Sequence, residues 1–189
     1  MFGLEAGKMA DVADILTATA NGSAQTLTDL FEGLKMAGPQ AAAAGESIDE
    51  LCASLGIMAN MGIKGSLAGT ALRKAFVQFS STKVQDILRE VGVEATDSSG
   101  NLRKMAEVMR EIAVATQNMP TADRISFMQD VFDVRGMMSG LSLTANIEEL
   151  DAFLAKLRDV SGQADATARA MDAGIGGSFR LFQSAGERR

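Results

Sequence analysis

The sequence has 189 residues, of which 47% are hydrophobic and 22% charged, and it contains no histidine, tryptophan or tyrosine. This composition is typical of a globular chain, and its abundant alanine and methionine favour packed helices over strands, which prefer β-branched and aromatic residues. Without histidine the chain cannot build a Ser-His-Asp or Cys-His catalytic site, a histidine metal site or a histidine pH switch.

The net charge of −6 is concentrated in residues 1–62, where two lysines stand against eight carboxylates. An acidic segment does not suit the phosphate backbone of nucleic acid, so we expect no specific nucleic-acid partner. Cys52 is the single cysteine, which excludes an intramolecular disulfide. We expect no signal peptide, and the apolar run Leu51–Ile63 is shorter than the roughly 20 residues that a membrane-spanning helix needs. We therefore expect a soluble chain with no transmembrane segment.

Apolar residues recur at helical spacing along most of the chain. The stripes comprise Leu27, Leu30, Phe31 and Leu34; Ile48, Leu51, Cys52 and Leu55; Leu72, Ala75, Phe76 and Phe79; Val84, Ile87, Leu88 and Val91; Leu102, Met105, Met109 and Ile112; and Ile125, Met128 and Phe132. They predict helices of about 10–15 residues, close to the average helix length. We therefore expect an all-α fold in which residues 1–140 form a compact bundle of helical hairpins.

Residues that favour helix ends lie between these stripes. Ser47 with Glu50, and Thr82 with Gln85, predict capping boxes, while Thr121 and Ser66 are expected to cap the helices that follow them. Glycines that suit a left-handed helix end are Gly22, Gly38, Gly45, Gly62 and Gly92. The alternating segment Val91–Thr96, followed by turn residues 97–101, predicts a small β-hairpin or an extended excursion near 91–102.

In the C-terminal part, apolar and small residues recur about every 3.5 residues, beginning at Ile147. The positions are Ile147, Leu150, Leu154, Leu157, Ser161, Ala164, Ala168 and Met171. This pattern predicts a longer helix over 141–175 with a seam for self-association. Beyond Gly174 the glycines predict a flexible tail over 176–189.

Several short motifs resemble functional sites without matching them. Gly62–Ser66 lacks the residue order of a phosphate-binding loop and follows a helix rather than a strand. Asp97–Asn101 lacks the sixth-position glycine and the final glutamate of a calcium loop, so turn chemistry explains it. The chain therefore offers no cofactor site and no metal site that sequence alone identifies.

The acidic pairs and the cysteine also have simple structural explanations. Asp49 and Glu50, and the acidic run from Glu148 to Asp151, are expected to be solvated acids in first helical turns. Cys52 lies on an apolar stripe, which predicts a buried, inert thiol. No catalytic residue is assigned, and we expect a chain that is not an enzyme.

One combination of residues is specific. Residues 30–73 contain a helix that ends near Gly38-Pro39, an alanine-rich helix, a capped Ser-x-x-Glu helix and a glycine-rich joint, in that order. The joint is marked by Asn60, Gly62, Gly65, Ser66, Gly69, Thr70 and Arg73. This arrangement resembles the conserved region of tail tape measure proteins from long-tailed phages and prophages. The likeness covers roughly residues 1–140, including the segments at 88–101 and 131–136.

The resemblance implies a structural role in a virion. Members of that family are made in the bacterial host cytoplasm, lie in the lumen of the tail tube, set its length during assembly and are released at genome ejection. Implied partners are tail tube and tail tip proteins, assembly chaperones and further copies of the chain. Such proteins are usually several hundred residues or longer, so the resemblance implies a fragment or a reduced member.

Two other functions are compatible with the residues. Helices rich in alanine, methionine and glycine suit a membrane-active protein that assists genome delivery across the host envelope. A carboxylate enzyme such as a wall hydrolase would require a cleft with two facing acids.

Overall fold

The computed structural model describes residues 8–164, 166–167 and 170. Up to residue 160 these form eight helices joined by short links. The helices are α1 (Met9–Gly22), α2 (Leu27–Ala43), α3 (Ile48–Asn60), α4 (Gly65–Phe79), α5 (Thr82–Glu90), α6 (Met105–Thr116), α7 (Thr121–Ala145) and α8 (Ile147–Leu157). The predicted all-α fold is confirmed. None of these helices is both long and apolar enough to cross a membrane.

The β-hairpin predicted near 91–102 is wrong. In this part of the described chain, a single antiparallel bridge joins Thr96 to Leu102 and no strand forms. The carboxylate of Asp97 accepts hydrogen bonds from the backbone N–H groups of Ser99 and Asn101, each at 2.9 Å. These local bonds close the turn, and the segments beside it are too short to build a ladder of pairs.

The apolar stripes supply one continuous core. Its largest fully buried side chains include Leu30, Leu51, Leu55, Leu72, Leu88, Met109, Ile112, Met128 and Phe132, which all belong to predicted stripes. Three other stripe positions are wrong, since Leu27, Phe31 and Ile125 are 45%, 55% and 44% exposed. On α2 the buried face instead follows Leu30, Leu34, Ala37 and Ala41, because the small residues of α4 approach that side.

The predicted capping residues are correct at α3 and wrong at three other helices, each of which begins within one residue of the expected capping residue. Glu50 accepts a hydrogen bond from the Ser47 N–H at 2.8 Å. Helices α4, α5 and α7 begin after Lys64, Ser81 and Pro120, and none of these residues forms a side-chain cap. The expected caps at Ser66, Thr82 and Thr121 therefore lie inside first turns. Gln85 donates instead to the carbonyl of Phe79 at 2.9 Å.

A capping box that the sequence analysis missed starts α2. The Asp29 N–H donates to the Thr26 hydroxyl at 3.1 Å, and the Thr26 N–H donates to the Asp29 carboxylate at 3.2 Å. The carboxylate takes the place that glutamate holds in the usual motif. The bond from Thr26 lowers the pKa of Asp29.

Three of the five glycines predicted to end a helix in a left-handed conformation are confirmed. Gly45, Gly62 and Gly92 have φ angles of 81°, 84° and 77°, which suit glycine at a helix end. Gly22 is the last residue of α1 and packs against the Phe153 ring, and Gly38 lies inside α2. The helix break expected at Gly38-Pro39 is also wrong, because α2 continues through Pro39 to Ala43.

Helix α7 folds back on itself at Asp133, the one residue within it that has non-helical backbone angles. Arg124 from its first half and Thr144 from its second half line the same cavity of about 260 Å³. In a straight helix these two residues would be about 30 Å apart, at a rise of 1.5 Å per residue. The two halves, 121–132 and 134–145, therefore lie side by side.

The C-terminal helix is shorter than expected and contributes to the same core. Where a helix over 141–175 was expected, α7 ends at Ala145 and α8 ends at Leu157. Leu150, Leu154 and Leu157 are buried within the chain, so they offer no free seam for a second copy. Of the later seam positions, Ala168 and Met171 lie outside the described residues, as does the tail expected over 176–189.

Candidate functional site

The joint between α3 and α4, which carries the specific motif, is fixed by the loop between α1 and α2. The Asn60 side chain accepts a hydrogen bond from the Ala24 N–H at 2.8 Å. The Gly65 N–H, at the start of α4, donates to the buried Gln25 side chain at 3.3 Å. Residues 24 and 25 therefore hold both ends of the joint in place.

Gly69 allows α2 and α4 to approach each other closely. A Cβ atom at this position would lie 2.4 Å from the Gly33 carbonyl oxygen and 2.9 Å from the Gly33 Cα. No side chain can rotate to relieve a clash with backbone atoms, so only glycine fits without moving α2. A Cβ on Gly33 would in turn meet the Leu55 side chain at 2.8 Å, which ties α3 to the same crossing.

The remaining motif residues lie near the surface of α4 and its joint. Gly62 makes the turn after α3, as its φ angle of 84° requires. Ser66 and Thr70 line a shallow depression of about 480 Å³ together with α7 residues, and Arg73 is half-buried. The motif thus combines a turn after α3, hydrogen bonds to the loop between α1 and α2, and a close crossing of α2 and α4, all of which are packing features.

A cluster of charged residues that the sequence analysis missed lies where α3, α6 and α8 meet. Glu46 is 6% exposed, and its carboxyl group accepts a hydrogen bond from the Met105 N–H, at the start of α6, at 2.6 Å. Glu50 accepts from Lys104 Nζ at 2.7 Å and from Arg158 Nη2 at 3.0 Å. Arg158 also bonds to Asp49 at 3.1 Å. The prediction that Asp49 and Glu50 are solvated acids is wrong for Glu50, which is buried.

The two glutamates of this cluster have opposite pKa shifts. Burial raises the pKa of Glu46 to about 8, and the neighbouring Glu50 carboxylate adds to that rise. Burial alone would also raise the pKa of Glu50, but bonds from Lys104 and the Ser47 N–H lower it well below its ordinary value. Near neutral pH a protonated Glu46 therefore lies beside an ionised Glu50.

This pair differs from the two-acid cleft that a wall hydrolase would require. A general acid and its partner must both reach a bound substrate. Glu46 is closed off from solvent, and Glu50 is held by two cations. The arrangement suits a structural lock that joins the start of α3 to the start of α6 and the end of α8.

The other candidate groups have ordinary structural environments. Glu148 and Glu149 are exposed, as predicted, while Asp151 pairs with Arg110 at 2.5 Å. Cys52 is buried, as predicted, and burial raises the pKa of its thiol to about 12. Among the described residues, no group of three or more acidic or cysteine side chains is placed to hold a metal ion.

Comparison with known proteins agrees with the resemblance. Residues 1–133 match the sequence model of a family described as phage-related minor tail protein. The chain is 31% identical over 192 residues to the probable tape measure protein of Escherichia phage P2, an alignment that covers 98% of this chain and 24% of that protein. It is 33% identical over 173 residues to the tape measure protein of Pneumococcus phage Dp-1, covering 90% of this chain and 15% of that protein.

The chain therefore spans about a quarter or less of these two relatives. No solved structure matches it. The predicted resemblance to tape measure proteins is confirmed, and because the family match covers well over half of the sequence, the chain belongs to the family of phage-related minor tail proteins.

Proposed function

We propose that this chain is a folded segment of a tail tape measure protein. It would lie in the lumen of the tail tube during assembly, contribute to tail length and leave the tube at genome ejection. The observation that carries this proposal is the similarity to two tape measure proteins over 98% and 90% of the chain. The role is structural rather than enzymatic, since the motif residues and the charged cluster both serve packing.

The all-helical architecture supports a role in a narrow tube. Each helix satisfies its backbone hydrogen bonds internally, so helices can separate and line up end to end without leaving unpaired strand edges. A compact chain of this length is about 40 Å across. The same 189 residues as one continuous helix would extend about 280 Å, at 1.5 Å per residue.

An in-frame deletion in a phage that carries this segment tests the proposal. Tail length is measured by electron microscopy of purified virions, and mass spectrometry shows whether the protein is present in them. If the segment acts in an extended form, removing it shortens the tail by about 280 Å; if it acts folded, by at most about 40 Å. Tails of unchanged length on virions of the deletion phage would contradict a contribution of this segment to tail length.

The partners are part of the same proposal. We expect contacts with tail tube and tail tip proteins, with assembly chaperones and with further copies of the chain, and synthesis in the host cytoplasm. Self-association would need a surface other than Ile147–Leu157, whose leucines are buried. Light scattering that shows a strict monomer at high concentration would contradict self-association of this segment and leave the deletion test unaffected.

A further inference from the structure

The break in α7 has an unusual backbone conformation. Asp133 has φ 61° and ψ 162°, a region that is essentially restricted to glycine. Across the described part of the chain it is the one non-glycine residue with a positive φ. The conformation is therefore strained, and the surrounding packing must maintain it.

The local sequence contains no glycine or proline that would favour this break. Residues 130–135 read Asp-Val-Phe-Asp-Val-Arg, without glycine or proline, and helix continues on both sides. Sharp bends in helices usually occur at proline, at glycine or at an inserted group. Neither proline nor glycine is present at residue 133. The Asp133 carboxylate accepts a hydrogen bond from the Val134 N–H at the start of the second half, and contacts with other parts of the fold add to this local bond.

Contacts of both halves of α7 account for the bend. A Cβ on Gly140 would lie 2.5 Å from the Phe132 ring, so the ring of the first half covers the backbone of the second. Phe132 also packs against Phe79 of α4, with ring centroids 5.6 Å apart. The Ser139 hydroxyl donates to the Gly136 carbonyl of its own helix at 2.6 Å, and its oxygen lies 3.3 Å from the Ala71 carbonyl oxygen of α4.

We propose that α7 is a folded-back helix that opens into one continuous helix over 121–145 when its second half leaves α4. Opening lets Asp133 return to helical angles and separates Phe132 from Gly140. The open helix would be about 37 Å long. This inference concerns the chain alone and does not depend on the proposed function.

Two substitutions at the exposed residue 133 form a matched pair. Asp133→Gly accepts the positive φ without strain and should raise the melting temperature by about 2–6 °C. Asp133→Ala keeps the strain and favours helix, so it should show no such gain. The Lys74–Asp133 ion pair, at 3.9 Å between partly exposed groups, is lost in both variants and cancels in the comparison. Equal melting temperatures in the two variants would overturn the proposal.

A distance measurement tests the opening itself. Spin labels on cysteines introduced at the exposed Ala122 and Ala145 lie on neighbouring helices in the closed form, whose axes are on the order of 10 Å apart. In a continuous helix the two positions would be about 35 Å apart. The native Cys52 is buried and stays unlabelled.

The double variant Asp133→Ala, Gly140→Ala should shift the population towards the open form. The alanine at 140 clashes with the Phe132 ring in the closed form and favours helix in the open one. We expect a second distance near 35 Å with the helical circular dichroism signal unchanged, and only the short distance in the wild type and in Asp133→Gly. A short distance alone in the double variant, or loss of its helical signal, would overturn the proposal.

Discussion

The carboxyl pair makes the stability of the bundle depend on pH in a direction that can be worked out. Burial raises the pKa of Glu46 to about 8 from an ordinary value of 4.5, so the folded chain keeps this proton while the unfolded chain releases it. The stabilisation is complete below pH 4.5 and is lost as the pH rises to about 8. At about 1.4 kcal/mol per pKa unit, the loss reaches up to about 5 kcal/mol.

Glu46→Gln removes this loss because glutamine resembles the protonated acid. Its carbonyl oxygen can accept from the Met105 N–H, and its amide group can donate to Glu50. Melting curves from pH 4.5 to 9 should show equal stability near pH 5 and a variant that melts about 10 °C higher than the wild type at pH 8.5. Titrating groups that do not interact with Glu46 cancel in this difference, and Glu50, whose pKa is lowered, stays ionised across this pH range.

The control is Glu50→Gln, which should destabilise the fold at neutral pH. It leaves Lys104 and Arg158 without their carboxylate, and the pKa of Glu50 is lowered, so its contribution is present above its ordinary pKa and lost in acid. An equal difference in stability between Glu46→Gln and the wild type at pH 5 and at pH 8.5 would contradict the raised pKa of Glu46.

Three further outcomes follow from the packing. Gly69→Ala forces α2 away from α4 and should destabilise the fold by about 1–3 kcal/mol, which lowers the melting temperature by several degrees. The control is Gly136→Ala, whose nearest contact would be 3.3 Å, and it should change the melting temperature by less than about 3 °C. Equal losses in the two variants would contradict the close crossing of α2 and α4. Thr26→Ala should lower the melting temperature by about 2–4 °C through loss of the cap, while Thr121→Ala, with no cap to lose, should leave it unchanged in calorimetry. Cys52 should react with a thiol reagent only as fast as the chain unfolds, and rapid native labelling at pH 8 would contradict its burial.

The all-helical fold and most of the buried core could be predicted because both depend on the spacing of apolar residues within one segment. Leu51 and Leu55 on α3, and Leu72 on α4, repeat at helical intervals and are all buried. The same logic explains the errors at Leu27 and Phe31, which share the spacing but face away from α4. Periodicity identifies an apolar stripe, but how much of it is covered depends on the neighbouring helix.

The charged cluster could not be predicted, because its partners are distant in sequence. Glu46 and Met105 are 59 positions apart, and Glu50 and Arg158 are 108 apart. Nothing near Glu46 distinguishes it from the solvated acids of the same acidic third. Only the fold shows that Glu46 accepts a hydrogen bond at the start of α6, while Glu50, one helical turn further along the chain, accepts one at the start of α3.

At two positions the path of the helix differs from what the local residues favour, and both positions lie on neighbours of α4. Proline at position 39 should end α2 but does not, whereas Asp133 should continue α7 but breaks it. Both helices pack on α4, which they contact more extensively than any other helix. Ala68 and Gly69 are buried on α4, and Gly69 lies against the backbone of α2.

The particular residues of the motif at 60–73 are therefore explained by how α4 is anchored and how closely other helices pack against it. Its first residues anchor the start of α4 to the loop before α2, and its glycine at 69 sets the distance between the two helices. Further along α4, the Ala71 carbonyl oxygen lies 3.3 Å from the Ser139 hydroxyl in the second half of α7. A change that moves α4 should thus disturb α2 and α7 together, which is why small residues are needed there.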